Sequence, residues 1–186
     1  MYELLLAAAA EPFIPADLSD RHFKVRLAEA DVKMPVPPSG GKPGFDYVLT
    51  RDAIAACGET MVGQPLRIAP DFNDHYVYAA DGSRALAPVY GTVTEQALVE
   101  EDGRWFWDVE GDWDALRDPA ISEKLLATQD ELGGSFELNS RTRVDGNVRY
   151  ITKFTGRGMA ILTQDAAAFR DRTELLAASG EVNTGS

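Results

Sequence analysis

A chain of 186 residues, 45% of them hydrophobic, has the size and composition of one soluble globular domain with a real core. Its formal net charge of −12 opposes direct binding to nucleic acid, where affinity rests on Lys and Arg neutralising phosphates. No stretch approaches the ~20 apolar residues that span a bilayer, and the short apolar run Leu4–Ala10 lacks the basic segment of a signal peptide.

In chain order, residues 1–20 read as a lead-in of uncertain structure, residues 21–170 as the domain proper and residues 171–186 as a helix end and flexible tail. His22–Glu29 alternates Phe23, Val25 and Leu27 against polar neighbours, which predicts a strand. Met34–Gly44 holds Pro35, Pro37, Pro38 and Pro43 among glycines and must be a loop. Thr50 is a good N-cap for a helix from Arg51 to Cys57, which Gly58 can end. Pro65–Asp74 reads as irregular and His75–Ala79 as a short strand. Pro88–Val99 and Arg104–Val109 form a hairpin around the turn dipeptide Asp102-Gly103, with Trp105 and Trp107 on one face and Phe106 on the other, as packing residues.

Asp118-Pro119 opens a second helix, with Ile121, Leu125, Leu126 and Leu132 along its apolar stripe and Gly133-Gly134 as its stop. Strands follow at Ser135–Arg141, Val148–Phe154 and Gly158–Thr163, and Asp165–Ala178 has helical composition. Many short strands with two or three helices, in no regular alternation, predict an α+β fold: a mostly antiparallel β-barrel or curved sheet decorated by helices.

The residue types narrow the chemistry. The lone Cys57 builds neither an intramolecular disulfide nor a thiolate metal site, and reads as a small packing residue. Two histidines, His22 and His75, with no HExxH, argue against a His-rich zinc site. There is no GxxxxGK[ST] phosphate loop and no complete GxSxG elbow. His75 lies in an aperiodic polar and aromatic stretch, and His is the side chain best suited to accept a proton near neutral pH. Ser135 follows two glycines, which permit tight backbone geometry and close approach of a substrate carbonyl. On residue type alone, a structural loop histidine and an ordinary strand serine after a helix cap explain these two positions better.

Five segments in order tip that balance: Gly63-Gln64-Pro65-Leu66, Asp74-His75, Tyr90-Gly91-Thr92-Val93, Gly133-Gly134-Ser135-Phe136-Glu137-Leu138 and Gly158-Met159-Ala160-Ile161-Leu162. Over roughly residues 51–168 the chain resembles the prohead (capsid maturation) serine proteases of tailed phages, which are similar in fold to the herpesvirus assemblins. The resemblance implies a serine endopeptidase with Ser135 as nucleophile and His75 as its base, and their separation of 135 − 75 = 60 positions suits the family order. The third residue departs from the pattern, because no acid stands at Arg157–Ala160, where the family carries one. Asp165, just beyond, is the first choice. Glu137 is the second, because two residues along a strand from Ser135 it shares a face with it. Asp74 adjoins His75 but would face the other way, His22 lies before the core, and Arg157 is a loose analogue of an assemblin oxyanion residue.

The resemblance further implies action in the host cytoplasm inside the assembling prohead, on phage major capsid and scaffold proteins and on the chain itself. Leu175–Gly180 is a candidate self-processing site. A homo-oligomer is implied, with no cofactor, metal, nucleic acid or membrane. A catalytically silent capsid-assembly or scaffolding module of the same fold is the alternative, and an unrelated acidic β-rich binding domain is a third.

Overall fold

The computed structural model describes residues 3–6, 17–18, 21–35, 37–72 and 74–163. Over these described residues the fold is α+β, a curved sheet with two α-helices. The strands are β1 (Glu3–Leu6), β2 (Asp17–Leu18), β3 (His22–Glu29), β4 (Asp46–Leu49), β5 (Pro65–Arg67), β6 (Tyr76–Tyr78), β7 (Arg84–Leu86), β8 (Val89–Glu101), β9 (Arg104–Trp113), β10 (Leu132–Asp145) and β11 (Val148–Thr163). The helices are α1 (Arg51–Cys57) and α2 (Pro119–Thr128). Nine strands form one sheet in the order β1-β10-β11-β5-β8-β9-β3-β2, with β4 added alongside β11, while β6 and β7 pair separately.

The helices start where their caps demand. Thr50 Oγ1 accepts from the Ala53 N–H at 3.1 Å, and Asp118 Oδ1 accepts from the Ile121 N–H at 3.3 Å. Gly58 is the C-cap of α1, its N–H donating to the Ile54 carbonyl, and the chain runs on from it into a 3₁₀ turn, Gly58–Met61. The hairpin β8–β9 turns at Asp102 and Gly103, both at positive φ. Both described pieces of the lead-in are strands of the main sheet, β1 against β10 and β2 against β3. The predicted helix over 165–178 and the tail lie outside the described residues.

Several boundaries differ from the sequence expectation. Gly133 and Gly134 do not stop a helix; they lie inside β10, whose first residue is Leu132. Gly134 faces β3, and a Cβ placed there would sit 2.6 Å from Val25 Cγ2, so the sheet curls until strands far apart in its order touch. The two strands expected over 148–163 are one 16-residue strand. Gly156 lies on that strand against the 3₁₀ turn, where a Cβ would meet Met61 Cα at 2.8 Å.

The core lies inside the curl. Trp107 is fully buried, its ring centroid 5.1 Å from Phe154 and 6.4 Å from Phe136. Phe106, on the opposite side of β9, is also buried, with the Arg26 guanidinium 3.9 Å above its ring. Arg26 is held by Asp108 at 2.8 Å and by Glu101 at 3.0 Å, which compensates the charge. Cys57 is partly buried against the core. No helix among the described residues is long and apolar enough to cross a membrane.

Candidate functional site

Strand alternation on β10 sends Gly134 and Phe136 toward the core and Ser135 and Glu137 to the other face. On that face Ser135 is opposite Ala160 and Glu137 opposite Gly158 of β11, and Arg67 of β5 follows beyond Ala160. Directly paired residues share a face, so a serine, a carboxylate and a guanidinium gather over two residues of minimal size. A Cβ on Gly158 would lie 2.9 Å from Glu137 Oε1 and 3.2 Å from the Pro65 carbonyl oxygen, so glycine there makes room for the carboxylate. The β10–β11 register slips just after Glu137, which leaves the exposed Arg157 as the extra residue of a bulge.

His75 comes from the segment linking β5 to β6. That segment turns at Phe72, a buried aromatic residue at φ 54°, in the left-handed region that costs a non-glycine residue about 1–3 kcal/mol. Two hydrogen bonds hold the turn: the Phe72 N–H donates to the Ala69 carbonyl at 2.9 Å, and the Thr163 N–H donates to the Phe72 carbonyl at 2.8 Å. His75 is anchored through its backbone, its N–H donating to Asp74 Oδ1 at 2.6 Å and its carbonyl accepting from the Ala87 N–H at 2.8 Å.

The imidazole then bridges two side chains of β10. His75 Nε2 lies 2.7 Å from Ser135 Oγ, and His75 Nδ1 lies 2.8 Å from Glu137 Oε2. A carboxylate accepts only, so Nδ1 carries the proton and Nε2 is left to accept from the Ser135 hydroxyl. The other oxygen, Glu137 Oε1, accepts from Arg67 Nε at 3.2 Å, and Arg67 Nη1 donates to the Ala87 carbonyl at 3.3 Å. Burial pushes the Glu137 carboxyl up, but the hydrogen bond from His75 and the charge and hydrogen bond of Arg67 outweigh it, so the group sits below its usual value. Glu137 is therefore a carboxylate at neutral pH. Ser135, His75 and Glu137 are 0%, 3% and 2% exposed, so nearly all water is excluded from the chain of bonds.

The structure thus brings together both residues singled out as nucleophile and base, and it puts the second-choice acid, Glu137, at Nδ1. Asp165 lies outside the described residues. Asp74 binds the His75 backbone N–H and the Tyr78 hydroxyl (2.9 Å). His22 is engaged elsewhere, 3.0 Å from Glu110 Oε2. Arg67 went unnoticed in the sequence, where Pro65–Asp74 read as irregular; Pro65-Leu66-Arg67 is too short a strand to show a period.

A hydroxyl bonded to a neutral imidazole, itself oriented by a buried carboxylate, can transfer its proton as the oxygen attacks an electrophile. Among the described residues no group of three or more His, Cys, Asp or Glu side chains could hold a metal ion. Comparison of the chain with family models, with curated proteins and with solved structures gives no match.

Proposed function

We propose that the chain is a serine endopeptidase of the prohead maturation type, with an assemblin-like fold, acting through Ser135, His75 and Glu137. One observation carries the proposal: the unbroken chain of bonds from Ser135 Oγ through the imidazole to Glu137, at 2.7 and 2.8 Å, between residues 60 and 62 positions apart. Ser135 Oγ attacks the scissile carbonyl while His75 Nε2 takes its proton. The imidazolium gives that proton to the leaving amine as the C–N bond breaks and an acyl-Ser135 ester remains. Water then attacks the ester, losing a proton to Nε2, and Ser135 leaves with that proton restored. Glu137 stays ionised throughout and stabilises the imidazolium. The acid departs from the family pattern only in position: it stands on the nucleophile's own strand. The prohead setting, with capsid and scaffold proteins as substrates and a homo-oligomer as the working form, rests on the resemblance of the five segments.

A second reading has an observation of its own. Ser135 is wholly covered, which favours a chain that is silent, or silent until it assembles. An active-site-directed fluorophosphonate followed by intact mass separates the two. Wild type gains one adduct at Ser135 and Ser135→Ala gains none if the peptidase reading holds. Absence of the adduct in wild type, with no time-dependent cleavage of added protein, leaves the silent module.

A further inference from the structure

We propose that Arg67 is the positioning residue of this site, a two-pronged clamp that fixes both the carboxylate and the backbone between which the His75 imidazole is held. The inference rests on the serine hydrolase reading of the site and names a fourth member for it. Four contacts close a ring. Arg67 Nε donates to Glu137 Oε1 (3.2 Å), and Glu137 Oε2 accepts from His75 Nδ1 (2.8 Å). The His75 carbonyl accepts from the Ala87 N–H (2.8 Å), and the Ala87 carbonyl accepts from Arg67 Nη1 (3.3 Å). One planar guanidinium therefore sets the imidazole's position from both ends, through the acid that orients the ring and through the residue that holds its main chain. The clamp is itself well seated: Arg67 follows Leu66 on β5, lies beside Ala160 of β11, and its side chain is 15% exposed.

Two physical arguments separate this role from a plain ion pair. A carboxylate 3% exposed needs a permanent counter-charge, and His75 in its resting neutral form does not supply one; Arg67 does. A rigid fork can also serve two acceptors in fixed directions, whereas the single ammonium of lysine matches the charge without the geometry. Loss of the fork lets the carboxylate rotate and β7 shift against β5, and displacements of about 1 Å at a reacting pair cost on the order of 100-fold in rate.

Arg67→Lys and Arg67→Gln would be compared with wild type in fluorophosphonate acylation of Ser135, resolving the reagent's binding constant from its first-order acylation constant. The acylation constant should fall about 10-fold in Arg67→Lys and about 100-fold in Arg67→Gln, with the binding constant unchanged. The Nδ1 proton of His75 should lie far downfield in wild-type proton NMR because of its carboxylate partner 2.8 Å away, and should move upfield in both variants. Full acylation in Arg67→Lys would overturn the clamp and leave only a charge. A loss confined to the binding constant would make Arg67 a substrate contact instead. Should the variants fail to fold, wild type still decides: the Arg67 Nε–H must exchange slowly with water, and rapid exchange refutes the clamp. Should wild type not react with the reagent at all, the hydrolase reading fails, and the two NMR signals alone judge whether Arg67 holds the imidazole.

Discussion

Replacing Glu137 by glutamine keeps the shape of the side chain and removes its charge, and the site gives the amide two poor choices. With its NH₂ toward Arg67 it sets donor against donor at a contact of 3.2 Å. With its NH₂ toward His75 it donates to Nδ1 at 2.8 Å and forces the ring proton to Nε2, where the Ser135 hydroxyl needs an acceptor. The second arrangement leaves fewer unpaired groups and should prevail, with an imidazole unable to act as base. The electrostatic loss points the same way. An imidazolium and a carboxylate 2.8 Å apart attract by about 6 kcal/mol at an effective dielectric near 20, equivalent to about four decades of rate. Glu137→Gln should therefore acylate with fluorophosphonate about 10⁴-fold more slowly than wild type, close to the effect of the wrong tautomer in serine hydrolases generally. Stability should drop by about 1–3 kcal/mol, because the Arg67 guanidinium keeps a neutral partner. Stopped-flow or timed intact-mass measurement gives the rate, and urea unfolding gives the stability. A folded Glu137→Gln protein that acylates within a few-fold of wild type would refute the assignment of Glu137 and return the acid's role to another residue, Asp165 first.

Gly158→Ala places a methyl group 2.9 Å from Glu137 Oε1, so the acylation rate should fall by about 10-fold or more while far-UV circular dichroism stays native; an unchanged rate would mean that the carboxylate has slack. Gly134→Ala presses on Val25 from the core side of the same strand and should destabilise by about 1–3 kcal/mol in urea unfolding, and a neutral result would show that β3 and β10 move apart easily. Because Glu137 is more acidic in the folded chain than its ordinary value of 4.5, its contribution to stability is complete above about that pH and is lost as pH falls through the lower folded value. Below pH 4.5 the thermal midpoint of wild type should thus fall more steeply than that of Glu137→Gln, and parallel curves would show that the carboxyl is not held in its ionised form.

Much of this was legible in the sequence. Thr50, Asp118 and Asp102-Gly103 mark their elements because caps and tight turns are local chemistry. Ser135 and His75 were reachable only through the order of five short motifs, since nothing local brings residues 60 positions apart together. Glu137 carried its own signal, the two-residue spacing that puts it on the face of Ser135, and that spacing outweighs the family's placement of the acid near residues 157–160. Gly133 and Gly134 misled because glycine reads as a break, whereas both are strand residues and Gly134 is kept small by its neighbour Val25. Arg67 left no trace because its role depends on β11 lying between β10 and β5, a matter of sheet order that residue patterns do not encode.

The long strand β11 has a consequence for the life of the chain as it is made. Ser135 and Glu137 sit on its one neighbour and Arg67 on another, and its last residue, Thr163, grips the loop that delivers His75. Every reactive side chain therefore leaves the ribosome before the strand that aligns them. A nascent polypeptide carries these side chains unaligned until β11 folds back on β10 as a local hairpin and pairs with the distant Leu66 and Arg67 of β5, the slow, non-local kind of contact. Under the proposed endopeptidase reading, synthesis order alone would keep the unfinished product harmless.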